Sequence, residues 1–462
     1  RSQTRPEMGC SIVRFLILAS SVACIAAILA NMQAYNFTKI CFDPAEEGVN
    51  RTTRLREHFS KIEQSALQAG IAIGALTGSG PYALLFQRYS RRLVFASAGI
   101  ISIVMTALIP LAVAHGFWPF FFVRIIEGIG FSSTFAMMGA VTSDWAPLAE
   151  NGFFLAVLTG SGHLANVITS PIAGAICSSS LGWPAVFYSF SAVAAVIFIF
   201  WFLLFRDTPD EHSMVGHSEL QRINRGKTRD VERHEVPYSA IFHSKCVWGC
   251  WIAAFGDLIA TQYIAMYNPV FMNSFLQFSV FTTGFLASFP TIAQYCFKVV
   301  AGILSDVLKC TSETWKVRLF DSFALGGSGL LFLVIAWIPR ESTILAIVIL
   351  VLAMGVLGTH SAGFNKCATL HSRQHSHFVM AMIVNIWAIC ILIEPFVADT
   401  ILQDNTSAPS WRILFIGHGI LLLLSNAVFV ASADARPATW TVPPKQLRSN
   451  YSAGNVVTAT VN

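Results

Sequence analysis

Residues 206–245 read RDTPDEHSMVGHSELQRINRGKTRDVERHEVPYSAIFHSK. This is the one long polar stretch inside an otherwise apolar chain, and its position decides the fold. A bilayer core about 30 Å thick needs about 20 apolar helical residues to cross it. A window of that length, moved outward from residues 206–245, finds six candidate spans on each side. Before the stretch they are 12–33, 62–86, 93–114, 118–141, 152–177 and 184–205. After it they are 246–268, 281–305, 318–338, 343–364, 378–400 and 411–433. The expected protein is all-α and membrane-embedded, with about twelve transmembrane helices. Its N-terminal half is 12–205, its linker 206–245, its C-terminal half 246–433 and its tail 434–462.

Composition supports this. Charged residues are only 12% of 462, against about a quarter in soluble domains. The net charge of +5 is small and its basic residues are scattered through loops, so nucleic acid is not an implied partner. The first apolar run lacks a small-residue cleavage site and reads as a helix that stays. The ten Cys show no disulfide or C-x-x-C spacing and read as buried apolar thiols, with no metal expected. No phosphate-binding glycine loop is visible, so no nucleotide-hydrolysing module is expected.

Lys and Arg set the orientation. Arg14, Arg88, Arg91, Arg92, Arg222, Lys227, Lys309, Lys316 and Arg436 fall on one side if both termini are cytoplasmic. The loops near 115, 180 and 275 carry none. Sequons at Asn50 and Asn405 then face outward or lumenally as plausible glycosylation acceptors, whereas Asn36 sits close to the membrane.

An ionisable group deep in a membrane costs about 2.5–3.5 kcal/mol on insertion scales, so it needs a partner or a wet cavity. Arg124 and Glu127, spaced i, i+3, can pair on one helix face, either as a packing contact or toward a cavity. Asp257 is near the middle of the seventh span beside Gln262 and Tyr263. Lys298 lies in the eighth, within snorkelling reach of its end. Glu394 precedes Pro395 in the eleventh. His163 and Asn166 share a face of the fifth. His360, His371, His375 and His377 read as a solvated loop.

A weak repeat relates the halves. The second span ends Ala83-Leu-Leu-Phe-Gln87-Arg88-Tyr-Ser90-Arg91-Arg92, and the eighth ends Gly302-Ile-Leu-Ser305-Asp306-Val-Leu-Lys309. Both resemble the G-x-x-x-D-R-x-G-R-R loop of major facilitators, and the resemblance gives Gln87, Arg88, Arg91, Arg92, Gly302 and Asp306 a gating role. Longer phrases resemble solute carrier family 17, the anion symporters. They are Val123-Arg124-Ile-Ile-Glu127-Gly128, Ser143-Asp144-Trp145-Ala146-Pro147, Gly182-Trp183-Pro184-Ala-Val-Phe187-Tyr188 and Ser361-Ala-Gly363-Phe364-Asn365.

The resemblance implies the major facilitator fold and secondary active transport of a small organic anion or phosphate by alternating access. H⁺, Na⁺ or voltage would drive it, in the plasma membrane or a vesicle or lysosome membrane. No cofactor beyond such an ion is implied, and the chain is not expected to be an enzyme. Expected substrate contacts are Arg124, Asn31, His163, Asn166, Asp257 and Asn365; expected coupling groups are Asp257, Glu127 and Lys298. The chain departs from the family pattern at four positions. Leu29 stands at an Arg position, Phe131 at a Glu, Gly139 at a His and Asp257 at an Arg. Two alternatives stay open: a transporter-like sensor or scaffold, and a carrier with a cationic or neutral substrate.

Overall fold

A computed structural model describes residues 12–42, 59–147, 150–225, 236–308 and 311–441. Among the described residues, twelve long helices carry the fold. In the first half they are α1 (Val13–Cys41), α2 (Lys61–Arg88), α3 (Arg91–Ala114), α4 (Phe117–Trp145), α5 (Phe153–Cys177) and α6 (Gly182–Leu204). In the second half they are α7 (Lys245–Val270), α8 (Val280–Ser305), α9 (Glu313–Ile335), α10 (Thr343–Ser372), α11 (Phe378–Ile401) and α12 (Ala408–Ser432). Eleven are long and apolar enough to cross a membrane, and α7 falls short because Asp257, Gln262 and Asn268 interrupt it. The chain is a multi-pass integral membrane protein.

Two helices outrun the expected windows. Residues 33–38 continue α1 because they remain packed and largely buried. On α10 the helix tightens at Gly358–Ala362 and continues as Phe364–Ser372, so residues beyond 364 are helical.

Local chemistry sets the ends and the close contacts. Ser60 caps α2: its hydroxyl accepts from the Glu63 N–H, and the Glu63 carboxylate accepts from the Ser60 N–H at 2.7 Å. At the crossing of α2 and α4, a Cβ on Gly74 would stand 2.0 Å from the Ile125 carbonyl, and one on Gly128 2.2 Å from that of Ile71. Small residues let two backbones touch where lipid supplies no hydrophobic drive.

The end carrying the linker and the N-terminus is called here the linker end, and the opposite one the far end. Contacts joining the halves concentrate from the centre to the far end. Ser65 on α2 donates to the Asp399 carboxylate on α11 at 2.7 Å. Lys61 Nζ donates to the Asn405 side-chain carbonyl at 2.8 Å. The Lys39 ammonium lies 5.5 Å from the Tyr35 ring and 5.6 Å from the Tyr267 ring, bridging α1 and α7. Ser288 on α8 donates to the Val167 carbonyl on α5 at 3.2 Å.

Cys41 and Cys177 form a disulfide at the far end, which corrects the reading of every Cys as a free thiol. The bond spans 136 residues, and the packing of α1 beside α5 creates it. Of the sequons, Asn36 is buried in α1, the Asn405 side chain is held by Lys61, and Asn50 lies outside the described residues.

Candidate functional site

The expected site residues divide into three groups. Arg124 and Glu127 occupy the first, enclosed within the N-terminal half. Arg124 is 1% exposed. Its Nη1 donates to Glu127 Oε2 at 2.7 Å and to the Met32 carbonyl at 3.3 Å, and its Nε donates to the Leu67 carbonyl at 3.2 Å. The guanidinium lies 4.9 Å from the Tyr35 ring centroid, and Thr106 donates to Glu127 Oε1 at 3.2 Å. This pair therefore ties α1, α2, α3 and α4 together. Asn31 packs nearby, donating to the Ser102 hydroxyl at 3.1 Å. The structure does not bring Asp257 to Arg124 or Glu127, because those charges are already satisfied by each other and by neighbouring carbonyls.

Asp257 belongs to the second group, at the centre where the halves meet. Its Oδ1 lies 3.1 Å from His360 Nδ1 on α10. His360 is not in a solvated loop: its side chain is 12% exposed, and its ring stacks on Phe364 at 5.4 Å. Nδ1 also lies 2.9 Å from the Leu357 carbonyl and hydrogen-bonds there, whereas Asp257 Oδ1 has no hydrogen-bond partner among the described residues, so carboxylate and ring meet as a close polar contact. Lys298 on α8 is near enough for its charge to act on both Asp257 and His163. His163 on α5 packs against the Tyr295 ring at 5.6 Å. The α5–α8 seam thus places residues of both halves around one polar cluster: His163, Tyr295, Lys298, Asp257 and His360.

The sequence motif around Asn365 positions this cluster. The Asp321 carboxylate on α9 accepts the Phe364 N–H at 3.1 Å. A Cβ on Gly363 would come within 2.5 Å of Asp321 Oδ1, so glycine there permits the contact that fixes α10. Asn365 itself is half-buried toward the linker end, and Asn166 is half-buried on α5.

Two buried polar atoms of the central cluster have no hydrogen-bond partner among the described residues. They are His163 Nδ1 and Asp257 Oδ1; elsewhere in the bundle both side-chain polar atoms of Gln68 on α2 and the Tyr263 hydroxyl on α7 are also without a partner among the described residues. An unmet buried donor or acceptor costs about 1–3 kcal/mol, which water or a polar solute offsets.

At the expected carboxylate position, Phe131 packs against Trp387 of the other half at 5.4 Å. Leu29 is buried, and a Cβ on Gly139 would meet nothing within 4 Å. Glu394 is held by His418 on α12, with 3.2 Å between Oε2 and Nε2, and the His418 ring stacks on Tyr263 at 4.3 Å. This second buried carboxylate–imidazole pair stays within the C-terminal half.

The third group is the set of gating residues at the linker end. Gln87 and Arg88 are exposed. Arg91 pairs with Asp144 at the end of α4, while the Arg92 N–H donates to Asp207 at 2.8 Å. Acids from α4 and the linker thus serve the basic turn where Gln87 cannot. In the second half, Glu313 takes Lys316 at 2.7 Å and Lys366 at 3.3 Å. Gly302 is half-buried on α8, and the Asp306 side chain lies outside the described residues.

Sequence reasoning assigned His360 to a solvated loop and gave Tyr295 no role. His360 alone left a signal, a charge-capable residue three positions before the Gly-Phe-Asn phrase. A group of possible metal ligands, Cys246, Cys250 and Cys367, lies apart from the centre at the linker end.

Residues 11–395 match the sequence profile of the Major Facilitator Superfamily. Human sialin is 26% identical over 341 residues, covering 73% of this chain and 68% of sialin. An uncharacterised transporter of Caenorhabditis elegans, slc-17.3, is 26% identical over 83% of this chain and 73% of its own length. Human sodium-dependent phosphate transport protein 1 is 27% identical over 65% of each chain. Among solved structures, a bacterial homologue of the human lysosomal transporter Spinster superposes with a TM-score of 0.69 at 13% identity, over 92% of this chain and 97% of that one. The D-xylose–proton symporter gives 0.67 at 13% identity, over 91% and 98%.

Proposed function

Because the chain belongs to the Major Facilitator Superfamily, a family of transporters rather than enzymes, we propose that it is a secondary active carrier of a small organic anion or phosphate, coupled to a proton. The observation that carries this reading is the central cluster. Lys298 brings a basic group and His163 a ring nitrogen without a hydrogen-bond partner to the seam, and Asp257 lies 3.1 Å from His360 beside them. Intramembrane ionisable groups are costly and mark transport pathways and proton relays. Anion affinity would come from Lys298 and His163, with Tyr295 as a neutral hydrogen-bonding partner.

Alternating access follows from how the halves touch. With the far end joined by Ser65–Asp399 and Lys61–Asn405, the cluster would open toward the linker end. Breaking those contacts while closing the linker end would present it to the other side. The Arg124–Glu127 knot is a rigid element of one half in this cycle rather than a substrate contact. We place the linker and both termini in the cytoplasm. The far-end disulfide favours this, since disulfides persist on oxidising sides of membranes.

Uptake into proteoliposomes from a panel of phosphate, sugar-acid and other organic anions, with neutral and cationic solutes alongside, tests the proposal. Concentrative anion uptake that requires an inwardly directed proton gradient supports it. Uptake of no anion by a correctly folded protein would reject it.

A further inference from the structure

At the linker end of the second half, α7 and α10 each present two metal-ligand side chains four residues apart. Cys246 and Cys250 share one face of α7, and Cys367 and His371 share one face of α10. The three sulfurs all lie within 4.8 Å of one another. Cys246 Sγ and Cys367 Sγ are 3.7 Å apart. Sulfurs held tetrahedrally at about 2.3 Å from one Zn²⁺ stand about 3.8 Å apart.

His371 is the candidate fourth donor; it lies outside the 4.8 Å group of the three sulfurs, so its side chain must move inward to complete a site. His371 Nδ1 lies 2.9 Å from the Arg436 carbonyl, which can only accept, so Nδ1 carries the proton and Nε2 keeps a free lone pair. Metal-bound imidazoles are held in this way by a carbonyl behind them. Nε2 lies 3.2 Å from Ser244 Oγ, and the ring is within hydrogen-bonding reach of the Cys246 thiol. The Asp434 N–H points at Cys246 Sγ from 3.4 Å, a donor that a thiolate accepts. The same sulfur is 3.4 Å from the Asp434 carbonyl, and that weak S–H bond would be given up on metal binding. Cys246 and His371 are buried, at 5% and 8% exposed, so a bound ion would be shielded from solvent.

We propose that Cys246, Cys250, Cys367 and His371 form a Cys₃His site for Zn²⁺ that ties α7 to α10. Three soft thiolates and an imidazole are the donor set of structural zinc. Asp257 lies seven residues beyond Cys250 and His360 seven before Cys367, two turns away on each helix. The ion would therefore clamp the two helices that hold the central pair. It would also anchor the segment after α12, whose Ala438 N–H donates to the His371 carbonyl at 3.0 Å.

The site is independent of any substrate, and binding alone tests it. The full chain, purified in detergent, reduced and stripped of metal, is titrated with Co²⁺ and then with Zn²⁺. The expected result is a thiolate-to-cobalt charge-transfer band saturating at one Co²⁺ per chain and abolished by Zn²⁺. Cys250→Ser, Cys367→Ser and His371→Ala should each weaken Co²⁺ binding by more than about tenfold, while Cys24→Ser leaves it unchanged. A folded wild-type protein with no such band overturns the proposal. So does a band unaffected by all three ligand substitutions, or a Cys246–Cys367 disulfide that persists under reductant.

Discussion

Asp257 Oδ1 lies 3.1 Å from His360 Nδ1, joining α7 to α10 at the centre of the molecule. Neither group is isolated, for Lys298 stands within electrostatic reach of the carboxylate and His163 faces the cluster from the other half. Movement of α10 against α7 would change the contact between this carboxylate and this ring.

Lys298 should set anion affinity. Lys298→Met removes the basic group at the seam, so KM for the transported anion should rise at least about tenfold, a loss of about 1.4 kcal/mol. Lys298→Arg should recover part of it. Kinetics of uptake at saturating proton gradient provide the check, and an unchanged KM in Lys298→Met would remove the residue from the binding site.

The Arg124–Glu127 pair should matter to stability first. A lysine ammonium cannot reach Glu127, Met32 and Leu67 together as the guanidinium does. Removing one partner of a buried pair costs about 3–5 kcal/mol. Arg124→Lys and Glu127→Gln should therefore both lower the Tm of the detergent-purified protein by several degrees. A wild-type Tm with lost transport would instead return Arg124 to the substrate pathway.

Much of this was legible beforehand, and the failures have physical reasons. The polar stretch 206–245 separates six helices from six because the bilayer demands about 20 apolar residues per crossing. Asp257 and Lys298 stand out because charge in an apolar run is costly. The i, i+3 spacing of Arg124 and Glu127 announces a pair, but not that carbonyls of α1 and α2 use up the remaining donors. His360 reads as solvated because it sits four residues from the end of the 343–364 window beside His371, His375 and His377, whereas the chain continues helically through Gly358–Ala362 to Ser372. Cys41 and Cys177 pair across 136 residues through packing that no spacing rule contains.

The far-end contact between Ser65 and Asp399 should open during turnover. Replacing both by Cys and oxidising should cross-link α2 to α11 and abolish nearly all uptake, with recovery under reductant. Full transport by the cross-linked protein would show that the two helices need not part there.

Orientation can be read with an impermeant thiol reagent. Ser218 is exposed on the linker helix His217–Asn224, so Ser218→Cys should be labelled from the cytoplasmic side alone. The Cys41–Cys177 bond should resist cytosolic reduction, and Cys41→Ser should destabilise the protein by up to about 5 kcal/mol from loop-closure entropy. Labelling of Ser218→Cys from outside intact cells would invert the topology.

The most direct measurement compares wild-type and Asp257→Asn protein in proteoliposomes under two regimes: net anion uptake driven by a pH gradient, and exchange of labelled for unlabelled anion at equal pH. Asp257→Asn should lose gradient-driven accumulation and its pH dependence while retaining exchange. Gradient-driven accumulation by Asp257→Asn at the wild-type level would contradict proton coupling through the Asp257–His360 pair.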